Sequence, residues 1–147
     1  MSVTVREATP DDALALQRMN EAFNGEGLPD AEMIRAALQR RTQEYTCIAE
    51  CDGAAVGFLC AQVHISWCYE TPTVEIAELY VAAEHRRRGA ARQLMALAEQ
   101  IALERFGAAK VTLLTGSKNL IAQAFYEAQH YCRDTEIHYS RRLPKAH

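Results

Sequence analysis

The chain has 147 residues, of which 49% are apolar and 24% charged, with a formal net charge of −3 at pH 7. That length suits one domain spanning 1–147 with a proper core, and the composition is that of an ordinary soluble globular protein. The charge gives no general basis for nucleic-acid binding, and no apolar run approaches the roughly 20 residues that cross a bilayer, so no membrane partner is expected.

Met1-Ser2-Val3-Thr4-Val5-Arg6-Glu7 lacks the basic and apolar regions of a signal peptide, and a cytosolic location is expected. Cys47, Cys51, Cys60, Cys68 and Cys132 are odd in number and show no C-x-x-C spacing, so they read as free thiols. His64, His85, His130, His138 and His147 are scattered without ligand spacing, and no metal site is expected.

In chain order, Val3 to Ala8 alternates as a first strand. Thr9-Pro10-Asp11-Asp12 then opens a helix with a capping residue, a proline and an acidic first turn. Leu14, Leu16, Met19, Ala22 and Phe23 form that helix's apolar side. After the loop 24–29, Asp30 caps a second helix carrying Met33, Ile34, Ala37 and Leu38. Thr46 to Glu50 and Ala55 to Ile65 read as a hairpin turning at Asp52-Gly53, and Thr73 to Val81 as the next strand. A long helix from Arg88 to about Phe106 bears Ala91, Leu94, Met95, Ala98, Ile101 and Ala102 on one face and stops at Gly107. Lys110 to Thr115 reads as a buried strand. A fourth helix runs from Asn119 to about Gln129, and Tyr131 to Leu143 reads as one long strand or two short ones. Hairpins together with strand–helix–strand crossovers predict a mixed sheet with helices packed on it.

One junction is electrostatically odd. The apolar Leu79-Tyr80-Val81 is followed by a turn and then by Arg86, Arg87, Arg88 and Arg92 around the start of the long helix. A helix N-terminus carries partial positive charge and unpaired N–H donors, so a group of cations there reads either as the surround of a bound anion or as a solvated basic turn that happens to begin a helix. Gly89 permits close backbone approach to such a ligand. The Walker and dinucleotide glycine patterns are both absent.

The pattern Arg86-x-x-Gly89-x-Ala91 after a strand, with Asn119-x-x-Ala122-x-x-Phe125-Tyr126-Glu127 some thirty residues later, resembles the GNAT superfamily, the Gcn5-related N-acetyltransferases. Arg6-Glu7-Ala8-Thr9-Pro10-Asp11-Asp12 and the hairpin 49–58 are also similar to that family's opening elements, so the likeness covers nearly the whole chain. It implies an α/β fold: a twisted, mixed, mostly antiparallel sheet of six to seven strands flanked by about four helices. It further implies transfer of an acetyl group from acetyl-CoA to an amine.

The resemblance implies that backbone amides from Arg87 through Arg92, including those of Arg88, Gly89, Ala90 and Ala91, cradle the CoA pyrophosphate, with arginine charge added from Arg86 onward. Leu79, Tyr80 and Val81 would lie along the pantetheine arm, which pairs with main chain like an added strand. Asn119 would contact that arm, and Tyr126 would protonate the leaving thiolate. The base would be Glu78, with Glu75 and a water relay as alternatives; Glu75 lies on the opposite side of a regular strand unless a bulge intervenes. After the F-Y-E segment the family often has glycine where this chain has His130, which predicts an altered helix exit.

For the acceptor, Glu26 and Asp30 between the first helices, and Trp67, Tyr69, Glu70 and Glu75 around the fourth strand, offer carboxylates beside aromatics. That suits a small cationic amine. Peptide lysines or N-termini are the alternative acceptors, and a non-catalytic acyl-CoA sensor is the alternative function. A homodimer is favoured, with the alternating segment after the fourth helix as a candidate edge.

Overall fold

The computed structural model describes residues 2–40 and 43–145, so Met1 and His147 lie outside the described residues. These residues group into two compact units, Met1–Leu114 and Thr115–His147.

The first unit holds β1 (Val3–Glu7), α1 (Ala13–Asn24), α2 (Ala31–Gln39), β2 (Glu44–Cys51), β3 (Ala54–His64), β4 (Thr73–Val81), α3 (Ala90–Phe106) and β5 (Lys110–Leu113). The strands lie in the order β1-β2-β3-β4-β5. The first three pairings are antiparallel and β4–β5 is parallel, the mixed sheet that the sequence predicts. The count is five among the described residues rather than six to seven, because residues 131–145 form no strand. Alternating β-formers become a strand only when a neighbouring edge takes their backbone hydrogen bonds, and no described strand does so. β5 is also less buried than expected: Val111 and Leu113 are half-buried and Leu114 is exposed, as befits a strand paired on one flank only.

One face of the sheet is covered by α3. Its buried residues are Ala90, Leu94, Met95, Ala98, Ile101 and Ala102, and the Tyr45 hydroxyl donates to the Ala98 carbonyl at 2.7 Å. On the other face Leu16 and Met19 of α1 pack with Ile48 and Phe58, and Ile34 and Leu38 of α2 extend that cluster. The Gln17 side chain ties the two helices by accepting from the Ala31 amide at 2.8 Å, while Asp30 caps α2 by accepting from Met33 N at 3.0 Å. Before α1, Pro10–Asp12 forms a 3-10 turn in which Asp12 accepts from the Thr9 amide and takes a bidentate pair with Arg6, both bonds 2.8 Å. Arg6 also reaches Glu50, so one guanidinium joins β1, β2 and the entry to α1. Arg105 near the end of α3 holds Glu7 of β1 in a second bidentate pair.

The second unit carries α4 (Leu120–Ala128), capped by Asn119, whose side chain accepts from Ala122 N at 3.1 Å. His130 N donates to Glu127 O and Tyr131 N to Tyr126 O, both at 3.0 Å, the paired bonds of a Schellman exit. His130 occupies the left-handed position of that exit with φ +71°. The helix therefore leaves by the ordinary glycine route with a histidine in place.

Candidate active site

The loop joining β4 to α3 is shaped by a 3-10 turn, Ala83–His85, followed by two residues in the left-handed region, Arg87 at φ +66° and Gly89 at φ +83°. Gly89 is the N-cap of α3, so the helix begins at Ala90, two residues later than expected. Ala82 N is bound to Val56 O, His85 N to Ala82 O and Arg86 N to Ala83 O. From Arg87 to Arg92, however, no backbone amide meets a protein acceptor among the described residues; the ladder resumes with Gln93 N to Gly89 O at 3.0 Å. Arg86, Arg87, Arg88 and Arg92 are all exposed around these donors. Arg86 has a second task, since its Nε donates to the Val81 carbonyl at 3.0 Å and locks the loop to the end of β4. Under the turn, His85 Nδ1 is buried without a partner among the described residues. A run of unpaired amides, surrounding cations and a glycine among them fits a diphosphate group.

The strand leading into this loop is open on one flank. Parallel pairing with β5 runs from Thr73↔Lys110 to Ile76↔Leu113 and then stops, so Leu79, Tyr80 and Val81 face no strand on that side among the described residues. On the other flank β4 follows β3 closely. A Cβ on Gly57 would stand 2.6 Å from the Tyr80 carbonyl oxygen, so only glycine fits there.

Halfway along β4 the register with β3 shifts. Cys60 pairs with Glu78, but Ala61 pairs with Ile76, leaving Ala77 as an extra residue in a bulge. Glu75 pairs with Gln62, and Gln62 and Cys60 are two apart on β3 and share a face. The bulge thus brings Glu75 and Glu78 to the same side of the sheet. Pairing of β2 with β3 puts Glu44 opposite Gln62 and Thr46 opposite Cys60, so these two residues join that side as well.

A groove of about 1010 Å³ opens here. Its walls include Glu78 of β4, Cys60 and Gln62 of β3, Glu44 and Thr46 of β2, and Met33, Ile34 and Leu38 of α2. Its cations are Arg40 after α2 and Arg105, the latter paired with Glu7. Burial, reinforced by the nearby Glu44 and Glu78 charges, pushes the Cys60 thiol up to about 11 despite its contact with Thr46 Oγ1 at 3.6 Å. A thiol so placed is protonated at neutral pH and is no nucleophile.

In the second unit, Tyr126 is half-buried on α4 between Phe125 and Tyr131, with ring centroids 5.4 and 6.3 Å away. Burial raises its phenol above the ordinary value of 10. Asn119 spends its Oδ1 on the α4 cap, which leaves its amide nitrogen as the group able to meet an external carbonyl.

The residues named for the acceptor are less concentrated than those of the loop. Glu78 lines the groove. Glu75 shares its face of the sheet but is paired with His64 at 3.2 Å. Asp30 is the α2 cap, Glu26 lies exposed in the 25–30 loop, and Trp67 (96% exposed), Tyr69 and Glu70 stand out on the β3–β4 connection. None of those five lines the groove. Glu44, Thr46, Cys60 and Gln62 were not singled out by sequence reasoning, although their spacing of two on adjacent strands carried the signal.

Residues 13–131 match the model of the acetyltransferase (GNAT) family. An uncharacterised N-acetyltransferase of Archaeoglobus fulgidus is 37% identical over 93 residues, which are 63% of this chain and 63% of that protein; the match thus spans under two thirds of the relative's length. Among solved structures, an aminoglycoside acetyltransferase from an uncultured soil metagenomic sample, in complex with sisomicin, superposes with a TM-score of 0.85 at 21% identity, covering 97% of each chain. AAC(6')-Iy in complex with the bisubstrate analogue CoA-S-monomethyl-acetylneamine gives 0.82 at 21%, covering 97% of this chain and all of that one. Ribosomal-protein-alanine N-acetyltransferase from Brucella melitensis biovar Abortus gives 0.80 at 20%, again over 97% and 100%. At these identities the structures establish a shared fold. The chain belongs to the GNAT acetyltransferase family.

Proposed function

We propose that the protein transfers the acetyl group of acetyl-CoA to a primary amine, with a small cationic amine as acceptor, by direct attack in a ternary complex. The observation that carries this reading is the run of unpaired amides from Arg87 to Arg92 among four arginines at the start of α3. Those amides hold the diphosphate, and the open flank of β4 at Leu79 to Val81 takes the amide-bearing arm as an extended strand. The Asn119 amide nitrogen meets a carbonyl of the same arm.

The acceptor enters the groove beside Glu78, where Glu44 and Glu75 on the same face favour a cation. Glu78, directly or through water, takes a proton from the ammonium so that the nitrogen carries a free pair. The N–C bond forms as the C–S bond breaks, and the Tyr126 phenol gives its proton to the departing thiolate. A phenol held protonated by burial is suited to that step. The protonated Cys60 thiol supports direct transfer over a cysteine-bound acetyl group.

A thiol-release assay over a panel of amines tests the reading: simple diamines, polyamines, an aminoglycoside and a peptide beginning with alanine. Cationic small amines should turn over fastest. A preference for the peptide would move the acceptor to a protein N-terminus, and no release with any amine would leave an acyl-CoA-binding module.

A further inference from the structure

The three strands beneath α2 grade from apolar to acidic along their length. On the face turned to α2, register places Ile48, Phe58 and Tyr80 in one row across β2, β3 and β4. Thr46, Cys60 and Glu78 form the next row, and Glu44, Gln62 and Glu75 the one after. The first row is core, with Leu16 and Met19 packed on Ile48 and Phe58. The groove opens over the second and third rows. Glu75 is held there by His64 at 3.2 Å, whereas the carboxylates of Glu44 and Glu78 make no hydrogen bond or ion pair among the described residues.

The wall above these carboxylates is of opposite character. α2 contributes Met33, Ile34, Ala37 and Leu38, all of them apolar. Its charged residues Glu32 and Arg35 bind each other at 2.7 Å and do not line the groove. Ile34 and Leu38 also pack on the core row, but Met33 and Ala37 take no part in that cluster. From Met33 to Leu38 the helix rises about 7 Å, room for a chain of about six carbons or one aromatic ring. Arg40 follows where this wall ends and lines the groove as well.

We infer that the acceptor is an amphiphilic monoamine, with its one ammonium beside Glu78 and Glu44 and an aliphatic or aromatic body laid along Met33, Ile34, Ala37 and Leu38; the inference rests on the acetyl transfer proposed above. Polyhydroxylated and polyvalent amines fit this groove less well. A hydroxyl set against α2 loses water without gaining a partner. A second ammonium at the far end of the wall meets Arg40 rather than a carboxylate. Met33 and Ala37 are then specificity-determining residues, and the acids beneath them select the charged head.

The test is thiol release by the full chain over n-alkylamines from ethylamine to hexylamine, with 1,6-diaminohexane and an aminoglycoside alongside. Across the series kcat/KM should rise about two- to fourfold per methylene, the gain from half to full burial of each. Hexylamine should exceed 1,6-diaminohexane by at least about tenfold. Met33→Ser should lower the hexylamine-to-ethylamine ratio about fivefold, and that ratio is independent of how much of the variant folds. Ala37→Glu, which sets a carboxylate on the wall, should shift the hexylamine-to-diaminohexane ratio at least about fivefold toward the diamine. A flat series, or a preference for the diamine or the aminoglycoside over hexylamine, would overturn the inference and leave acetyl transfer to amines standing. A rising series with ratios unchanged in both variants would place the tail on another wall and overturn it equally. No release with any amine would remove the proposed function itself, and this substrate class with it.

Discussion

The loop after β4 and the groove under α2 grow from the same strand but are built in opposite ways. The loop offers main chain: the amides 87–92 follow a left-handed Arg87 and flank a left-handed Gly89, with exposed arginine side chains around them. The groove offers side chains brought to one face by strand register and a single bulge at Ala77. Main-chain recognition tolerates changes of side chain but not of backbone conformation, whereas the groove can be re-lined one residue at a time. Under the proposed function, the donor end is therefore the half that backbone changes disrupt and the acceptor end the half that side-chain changes re-line.

That contrast is open to attack by substitution. Gly89→Leu forces a branched side chain into φ +83° in the middle of the unpaired amides, and acetyl-CoA affinity by calorimetry should fall more than about 100-fold. By contrast, Arg88→Ala should cost only a few-fold, since one exposed charge near a helix end contributes about 0.3–1 kcal/mol. A larger loss from the arginine than from the glycine would reverse the account of the loop.

Tyr126→Phe should lower kcat by about 100-fold with acetyl-CoA affinity nearly unchanged, because general acid catalysis contributes on that order. In the wild type, burial raises the phenol, so the acid is present below that raised value and lost as pH climbs through it. The alkaline limb of the kcat profile should thus lie above pH 10 and change in the variant. A profile shared by both proteins would remove Tyr126 from the proton path.

Glu78→Gln and Glu44→Gln separate roles within the groove. The first should reduce kcat/KM by about tenfold, mostly through kcat. The second should raise KM for cationic amines by a few-fold while leaving kcat in place, as loss of a charge that only binds would do. Equal effects on kcat would mean that the two carboxylates act together on the proton.

The smallest effect concerns the exit of α4. His130 holds φ +71° where glycine would be unstrained, so His130→Gly should stabilise the protein by about 1 kcal/mol in thermal or urea unfolding. A destabilised variant would show that the imidazole makes compensating contacts.

Much of the loop before α3 could be read from residues alone. Arginines at a helix start form a local charge anomaly, and Gly89 stands where backbone must turn left-handed. The groove was harder because its geometry depends on non-local pairing. Glu44 and Glu78 are 34 positions apart and meet only through β3, and the bulge that brings Glu75 round arises from a register shift that no local pattern announces. Carboxylates beside aromatics drew attention to Trp67 and Tyr69, which stand out exposed instead. Gly57 reads as an ordinary strand glycine until Tyr80 is seen to approach it. The segment 131–145 failed differently: its alternation is genuine, but it pairs with no described strand.

The most direct measurement compares acetyl-CoA with S-acetyl-pantetheine, which has the thioester and the arm but no diphosphate, by titration calorimetry on the wild-type protein. If the amides from Arg87 to Arg92 hold the diphosphate, acetyl-CoA binds near micromolar and removing that group weakens binding at least about 100-fold, the loss of several charge-assisted hydrogen bonds. Equal affinity for the two compounds would contradict the central claim.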